Sequence, residues 1–228
     1  IEQTIQSVLN QTYQNYEYII IDGGYTDGTT DIISGYVRRF NGRLKWVSEP
    51  DDGIYSAMNK GIKKASGRYI GLLNSDDWYN PDALENVNAS IDENNAIIFG
   101  LLSTWSNGNL NRVYANFTDN LHSDSLAHPS SFIPKATYDK YGVYDTKYKS
   151  AADYELFLRL YNVGCNFKFI CSILANFRLG GTSCSSLGFF ETLEIKKNYN
   201  LLSKKRYIKL FYKRRITDFL QILEKKLF

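Results

Sequence analysis

The stretch at residues 69–84, YIGLLNSDDWYNPDAL, places two adjacent carboxylates, Asp76 and Asp77, directly after an apolar run. Residues 67–74 predict a buried strand, and residues 80–91 predict a helix with an asparagine cap and a proline at its first position. Neighbouring like charges repel each other, and a simple hydrophobic core does not need them. The pair at the end of this strand therefore indicates a site with its own chemistry.

Segments typical of strands and of helices alternate around this stretch. Continuous apolar runs predict four strands, at residues 16–22, 44–50, 67–74 and 96–104. Helical patterns separate them, and this alternation predicts an α/β fold with a mostly parallel central sheet and helices on both faces. Further along, residues 150–164 predict a helix, residues 167–181 a strand or hairpin, and residues 189–228 helices.

Acidic residues follow three of the predicted strands. Asp22 ends the first strand, Asp51 lies in the loop 48–53 after the second, and Asp76 and Asp77 follow the third. In open α/β sheets, ligands bind at the carboxyl ends of the strands, so we expect these side chains to share one concave, negative site. A site of that sign attracts a cation, or a ligand that brings one.

The pair Asp76 and Asp77 suits a hard divalent cation. Mg²⁺ and Mn²⁺ prefer oxygen ligands and keep open positions for water and substrate phosphates. A bound cation would also remove the repulsion between the two carboxylates. The alternative interpretation is structural, because acids just before a helix interact favourably with the helix dipole.

Residues 19–31, IIIDGGYTDGTTD, form a second candidate motif. Gly23 and Gly24 let the backbone bend close to a ligand beside Asp22. The pattern is not GxGxxG, which disfavours a dinucleotide-binding fold. An ordinary strand-to-helix turn is the alternative; it explains Asp27 as a helix cap but leaves Asp22 unexplained.

Asp153 stands near the start of the predicted helix 150–164, about one turn before Leu156 and Phe157. It can therefore lie at the rim of the helix's apolar face. A carboxylate in that position can act as a general base on a substrate hydroxyl. The alternative is that it only stabilises the helix start, an effect of about 0.3–1 kcal/mol.

Length and composition set limits on the class of protein. The 228 residues suit one domain with or without an appendage, and 43% hydrophobic residues provide a substantial core. Three cysteines without a CxxC pair fit a reducing compartment better than a disulfide scaffold. The polar opening does not resemble a signal peptide, and no apolar run reaches the roughly 18 residues that span a bilayer. We therefore expect a cytoplasmic protein.

Three segments carry a resemblance to a known family. They are SVLNQTYQNYEYIIIDGGYTDGTTDII, WVSEPDDGIYSAMNKGIKKASGRYIGLLNSDDWY and YKSAADYELFLRLYNVG. Together they resemble glycosyltransferase family 2, which has the GT-A fold, and in particular bacterial enzymes of cell-surface polysaccharide assembly. The resemblance implies transfer of a sugar from a nucleotide-diphosphate sugar to an acceptor hydroxyl, with inversion at the anomeric carbon.

The resemblance also implies roles for individual residues. Asp153 matches the base that deprotonates the acceptor, and Asp77 matches a ligand of Mg²⁺ or Mn²⁺, with Asp76 near the metal and the ribose. The implied donor-binding residues are Asp22, Gly23, Gly24, Asp51, Asp76 and His128. His128 falls where family members place a histidine near the donor phosphates; the alternative is that it is structural.

Three further positions bear on the resemblance. The segment RLGGTS at residues 178–183 resembles a loop that closes over the diphosphate. Asn74 stands where other members often have a third acid. Tyr25 replaces a small residue, usually serine, beside the nucleotide pocket.

The resemblance gives an expected domain organisation. Family members have an apolar strand at the centre of the sheet before the first helix, and here the chain begins with that helix, so we expect an upstream strand. We expect a glycosyltransferase domain at residues 1–185 and a basic amphipathic helical tail at residues 186–228.

The tail differs from the body in charge. Residues 195–228 contain eleven basic and two acidic residues, a net charge of +9, whereas the other residues carry sixteen and twenty-two, a net charge of −6. Such a helix can lie on an anionic membrane, where it would suit a lipid-linked acceptor at the inner face of the plasma membrane. It can equally pack on the domain with its charges in water. The acidic body disfavours nucleic acid as a partner.

The sequence therefore predicts a metal-assisted, inverting glycosyltransferase. A nucleotidyltransferase on a similar sheet and an inactive nucleotide-sugar-binding module are the two alternatives. The expected partners are a nucleotide sugar and a carbohydrate or lipid-linked acceptor.

Overall fold

The computed structural model describes residues 1–180 and 186–227, with side chains described as far as residue 220. These residues form eight α-helices and eight strands. The helices are α1 (Glu2–Leu9), α2 (Thr29–Tyr36), α3 (Ile54–Lys64), α4 (Ala83–Ala89), α5 (Lys135–Tyr141), α6 (Ala152–Asn162), α7 (Ser186–Asn198) and α8 (Lys204–Leu227). The strands are β1 (Tyr18–Asp22), β2 (Leu44–Ser48), β3 (Tyr69–Gly71), β4 (Trp78–Tyr79), β5 (Ile97–Ser106), β6 (Asn109–Tyr114), β7 (Ser131–Pro134) and β8 (Phe167–Arg178).

The first two strands form a small parallel sheet. β1 and β2 pair in register from Tyr18 opposite Leu44 to Asp22 opposite Ser48. Both strands therefore end at the same edge, as the strand–helix alternation predicts. This edge carries the first of the candidate acids, Asp22.

The other six strands form one mixed sheet. Its order is β3-β7-β5-β8-β4, and β6 pairs with β5. β5 and β8 run parallel, while the remaining pairs are antiparallel. The expectation of a mostly parallel sheet is thus wrong for this larger sheet. The reason is that β4 and β7 are short strands without a strand pattern of their own, and each reverses the chain direction beside a longer neighbour.

Helices cover both faces of the larger sheet, as predicted. Successive residues of the central strand β5 point to opposite faces, so Ile97 and Phe99 join one core and Ile98 and Leu102 join the other. The first core includes the buried faces of α3 and α6, and the second includes those of α1 and α2.

The quoted stretch around the acid pair forms a shorter strand than expected. β3 ends at Gly71, where a Cβ atom would lie 2.6 Å from the hydroxyl oxygen of Tyr79, so only glycine fits. A turn follows, in which the Asp77 N–H donates to the Asn74 carbonyl at 3.2 Å. The next helix, α4, begins at Ala83 rather than beside the predicted asparagine cap.

The two C-terminal helices pack differently. Glu191, Leu193 and Ile195 of α7 are buried, and Ile195 belongs to the core that contains α6. α8 instead packs on α7, where the rings of Phe211 and Phe190 lie 5.0 Å apart. The predicted division between residues 185 and 186 stays a prediction.

Candidate active site

A cavity of about 440 Å³ lies between β1 and the turn that follows β3. One end is apolar and is lined by Ile19 and Ile21 of β1 and by Leu72 and Leu73. β1 and β3 each have one edge with no strand partner among the described residues. The other end is polar. Its lining residues are Gly23, Tyr25, Asp51, Asn74, Ser75, Asp76 and Arg178.

Asp22 lies at the end of β1, where it is buried. Its Oδ2 atom accepts hydrogen bonds from the Ser48 hydroxyl at 2.6 Å and from the Gly24 N–H at 3.1 Å. The carboxylate therefore joins the ends of β1 and β2 and shapes the turn that leads into the cavity. The Asp22 side chain is thus fixed by two hydrogen bonds behind Gly23, and it does not form part of the cavity wall.

The two glycines after Asp22 allow close packing of two loops. Gly24 has a φ of +78°, a conformation that favours glycine, and a Cβ atom there would lie 3.3 Å from the Pro50 nitrogen. The turn after β1 thus lies directly against the loop after β2. Tyr25 projects from this turn, and its side chain lines the cavity while remaining 69% exposed.

Asp51 is held in the loop after β2 by Lys60 of α3. The Lys60 ammonium lies 2.5 Å from Asp51 Oδ1 and 2.8 Å from Glu49, and it donates to the Pro50 carbonyl at 3.1 Å. The Asp51 side chain is only 7% exposed, and its Oδ2 atom has no hydrogen-bond partner among the described residues. A buried carboxylate oxygen without a partner is available to a ligand's donor group.

Asp76 and Asp77 occupy very different environments. Asp76 is exposed at the polar end of the cavity, whereas Asp77 is fully buried. Asp77 accepts hydrogen bonds from the Arg178 N–H at 3.0 Å and from the Asn74 amide at 3.3 Å. Burial, assisted by the negative charge of Asp76, raises the pKa of Asp77 to about 6.

His128 connects the acid pair to the predicted base. Its Nε2 atom lies 3.4 Å from the Asn74 amide nitrogen, which in turn contacts Asp77. Its Nδ1 atom lies 3.7 Å from Asp153 Oδ2. The four side chains form a continuous path from the first cavity to α6.

Asp153 lies in the first turn of α6 and is partly exposed. Its Oδ1 atom accepts hydrogen bonds from the Tyr55 hydroxyl at 3.2 Å and from the Tyr154 N–H at 2.9 Å. Burial raises the pKa of Tyr55, and the nearby charge of Asp153 raises it further, so the phenol keeps its proton and donates. Asp153 also lines a second cavity, of about 150 Å³, whose wall includes Asp124 and three serines.

The loop before α6 is fixed by a carboxylate from α7. Glu191 is buried and accepts hydrogen bonds from the N–H groups of Lys149, Ser150 and Ala151, at 2.7, 2.8 and 2.9 Å. Hydrogen bonds to a charged group are stronger than neutral ones. α7 therefore positions the start of the helix that carries Asp153.

The side chains around the turn offer donors to a divalent cation. Asp76 and Asp77 supply carboxylate oxygens, the ligand type that Mg²⁺ and Mn²⁺ prefer. Within the described ranges, however, no three or more acidic, histidine or cysteine side chains already surround one point. Mg²⁺ commonly completes such a site with substrate phosphates. The donor set therefore fits a cation whose coordination a diphosphate completes.

The predicted residues thus fall into two connected groups. Gly23, Asp51 and Asp76 line the polar end of the first cavity, and Asp22 and Gly24 shape the turn beside it. Asp77 and His128 lead from this cavity to Asp153. The predicted loop at 178–183 lies partly outside the described residues, because residues 181–185 are not described. Sequence reasoning missed the contacts of Tyr55, Lys60 and Glu191, and it included Arg178 only as the first residue of the predicted loop 178–183.

For Arg178, the sequence does contain a signal that indicates a site residue. It ends β8, and its backbone N–H binds Asp77 while its side chain lines the first cavity. A cation at the end of a strand, two residues before a glycine pair, is a reasonable candidate for a phosphate ligand. The partners of Tyr55 and Glu191 are 98 and about 40 residues away, and no local pattern indicates them.

Comparisons with known proteins identify the family of the chain. A family model described as glycosyl transferase family 2 matches residues 1–160. The chain is 32% identical over 202 residues to a hyaluronan synthase of Pasteurella multocida, a match that covers 82% of the chain and 20% of that protein. It is 29% identical over 168 residues to a PGL/p-HBAD biosynthesis glycosyltransferase of Mycobacterium bovis, covering 69% of the chain and 63% of that protein. The chain thus spans about a fifth of the first relative and less than two thirds of the second.

Solved structures resemble the chain in fold. Staphylococcus aureus TarS 1–349, in complex with UDP-GlcNAc, has a TM-score of 0.68 at 19% identity, over 85% of this chain and 60% of that one. The mannosyltransferase PcManGT from Pyrobaculum calidifontis, in complex with GDP-Man and Mn²⁺, has a TM-score of 0.59 at 16% identity, over 86% of this chain and 56% of that one. The predicted GT-A fold is confirmed.

Proposed function

Because the chain belongs to glycosyl transferase family 2, we propose that it transfers a sugar from a nucleotide-diphosphate sugar to an acceptor hydroxyl with inversion. The observation that carries this proposal is the path of side chains from Asp77, beside the first cavity, through Asn74 and His128 to Asp153. A transferase needs a donor site and an acceptor base next to each other. The two cavities and the side chains between them meet that need.

The polar end of the first cavity is the proposed donor site. Tyr25 offers an exposed ring on which a nucleotide base can stack. Asp51 Oδ2 offers an unsatisfied acceptor, and Asp22 shapes the glycine turn beside it. Arg178 supplies a positive charge for the diphosphate, which otherwise meets a negatively charged turn.

Asp76 and Asp77 are the residues that would hold Mg²⁺ or Mn²⁺. When bound, such a cation stabilises the negative charge that develops on a departing diphosphate. Asp76 is exposed and ready for this role. Asp77 would exchange its bond with the Asn74 amide for the cation and keep its bond with the Arg178 backbone, which holds the carboxylate in place.

Asp153 is the proposed general base. Its carboxylate would take the proton of the acceptor hydroxyl as that oxygen bonds to the anomeric carbon and the bond to the diphosphate breaks. One displacement from the opposite face inverts the configuration. The Tyr55 hydroxyl and the Tyr154 N–H hold the Oδ1 atom, which leaves the second oxygen to face the acceptor.

The proposed acceptor is a carbohydrate, either part of a polysaccharide or linked to a lipid. The second cavity, lined by Asp124, Asp153 and several hydroxyl groups, suits a neutral polyol better than an acidic sugar. A lipid-linked acceptor would place the enzyme at the inner face of the plasma membrane. The relatives offer no support for the nucleotidyltransferase alternative, which leaves an inactive binding module as the competing hypothesis.

The test compares two variants with the unchanged protein. The full-length protein is assayed with a panel of nucleotide sugars and Mn²⁺, and the anomeric configuration of the product is read by NMR. We expect Asp153→Asn to lower turnover by about 10²–10⁴-fold while donor affinity survives. We expect Asp77→Ala to remove the metal-dependent part of donor affinity in calorimetry.

The matched control is Asp139→Asn, which removes an exposed carboxylate on α5 and should change neither quantity. Unchanged turnover in Asp153→Asn would contradict the assignment of the base. No turnover by the unchanged protein, together with tight donor binding, would favour the inactive binding module.

A further inference from the structure

The outward face of α8 carries a row of exposed apolar side chains. Ile208, Tyr212, Ile216, Phe219 and Leu220 are between 44% and 63% exposed. Their spacing of four, four, three and one residues places them on one side of the helix, because a turn takes 3.6 residues. Contiguous exposed apolar surface of this kind marks an interaction site.

Basic residues flank this row. Lys205, Lys209, Lys213 and Arg215 are exposed and lie on the same half of the helix as the apolar side chains. The single acid between residues 204 and 220 is Asp218, which is held by Arg214 at 2.8 Å on the opposite side. The outward face therefore combines apolar surface with uncompensated positive charge.

Contacts with α7 determine which side of α8 faces outward. The Phe211 ring packs 5.0 Å from Phe190, and the Arg214 guanidinium donates to the Ser186 hydroxyl at 3.0 Å. Because α7 is anchored in the core by Ile195 and Glu191, the orientation of α8 about its own axis is defined by contacts on its inner side. The apolar row therefore faces away from α7, and within it the Tyr212 ring packs against Phe211 of the same helix at 5.7 Å.

We propose that this face of α8 docks on the surface of an anionic lipid membrane. Apolar side chains would enter the boundary between headgroups and acyl chains, and the lysines and arginine would reach the phosphates of anionic lipids. Among the described residues, no helix is long and apolar enough to cross a bilayer, so the contact is peripheral. A second copy of the chain fits the face less well, because two such faces would bring like charges together.

α8 packs on a helix that lines the second cavity, which suggests a function for its contact with a membrane. Gly188 and Thr192 of α7 line that cavity next to Asp153, and α8 packs on the same helix. A membrane-bound α8 would therefore hold the proposed acceptor site close to the lipid surface. Membrane binding itself does not depend on the proposed sugar transfer, so the two can fail separately.

The test is co-sedimentation of the full chain with vesicles of phosphatidylcholine, with and without phosphatidylglycerol, in the absence of donor sugar. We expect binding only to the anionic vesicles, and we expect it to weaken as salt screens the charges. Lys209→Glu/Lys213→Glu should lower the partition coefficient by about tenfold or more, and Ile216→Asp/Phe219→Asp should do the same.

Matched control variants show whether a loss of vesicle binding is specific to the outward face of α8. Lys63→Glu/Lys64→Glu reverses two exposed charges on α3, and Leu110→Asp changes an exposed apolar residue on β6. Both should bind as the unchanged chain does. Absence of binding to anionic vesicles, or equal binding by the α8 variants, would overturn the proposal. So would light scattering that shows a dimer lost in Ile216→Asp/Phe219→Asp, because the face would then be a self-association surface.

Discussion

The proposed donor side and the proposed base side of the candidate site are built in different ways. The donor side is made of short local motifs at strand ends, such as Asp22 with its two glycines and the turn that carries Asp76. The base side is made of contacts between distant parts of the chain, such as Tyr55 with Asp153 and Glu191 with residues 149–151. Local motifs are visible in the sequence, whereas a base held by distant partners depends on the packing of the whole domain.

Each side nevertheless relies on one carboxylate that collects backbone N–H groups. Glu17 precedes β1 and accepts hydrogen bonds from the N–H and hydroxyl of Ser66, at 2.6 and 2.7 Å, and from the Gly67 N–H at 3.0 Å. It thereby joins the segment before β1 to the segment that leads into β3. Glu191 does the same for the loop before α6.

The largest effect expected from this comparison lies on the base side. Glu191→Gln replaces one acceptor oxygen by an amide group that faces backbone N–H groups, which costs on the order of 3 kcal/mol at a buried site. A shifted α6 would misplace Asp153, and we expect turnover to fall by about 100-fold while donor affinity stays within twofold. Steady-state kinetics and donor titration measure the two quantities.

Glu194→Gln is the matched control, because Glu194 lies on the same helix but is exposed. A loss of donor affinity in Glu191→Gln equal to its loss of turnover would show that the two sides are not separable. The proposed independence of the donor side and the base side would then be wrong.

An intermediate effect is expected on the donor side. Tyr25→Ala removes the exposed ring from the first cavity, and base stacking on an aromatic ring contributes about 1–3 kcal/mol. We expect the dissociation constant for the donor to rise about tenfold, with turnover at saturating donor unchanged. Tyr25→Phe should bind as the unchanged protein does, because the ring and not the hydroxyl makes the contact. Unchanged donor affinity in Tyr25→Ala would place the nucleotide base elsewhere.

The smallest effect concerns stability and depends on pH. Burial would raise the pKa of Glu17, but hydrogen bonds from Ser66, Lys45 and Gly67 lower it to about 2. A lowered pKa in the folded state means that Glu17 stabilises the fold above its unfolded value of about 4.5 and loses this contribution as the pH falls towards 2. We expect Glu17→Gln to lower the free energy of unfolding by about 1–2 kcal/mol at pH 7 and by less at pH 3.

Urea unfolding at several pH values measures this dependence. The exposed Glu93→Gln is the control and should show no such dependence. If the free energies of unfolding of Glu17→Gln and the unchanged protein differ by the same amount at pH 7 and pH 3, the charge of Glu17 does not stabilise the fold.

The place of the candidate acids in the fold could be predicted because each follows a recognisable strand or begins a recognisable helix. Asp22 ends β1, and Asp153 lies in the first turn of α6, as the patterns indicate. The direction of the later strands could not be predicted. β7 has four residues and β4 has two, which is too short for any periodicity to appear, and their pairing is decided by neighbours about 30–100 residues away.

The burial of Asp77 was also beyond sequence reasoning. Adjacent acids look alike in a sequence, but the backbone of Arg178 approaches one of them and leaves the other exposed. Asn74 seemed a neutral departure from the family pattern. In the fold, it is the group that joins Asp77 to His128, because an amide can serve both neighbours without adding a charge.

The place of His128 between the two cavities has a practical consequence. The chain contains two histidines, so selective labelling of imidazole would yield only two sets of ring resonances, and replacement of His122 would assign them. The ring of His128 lies within 4 Å of groups on both sides. One spectroscopic signal would therefore respond to occupancy of either cavity, which makes this imidazole a natural reporter for ligand screening.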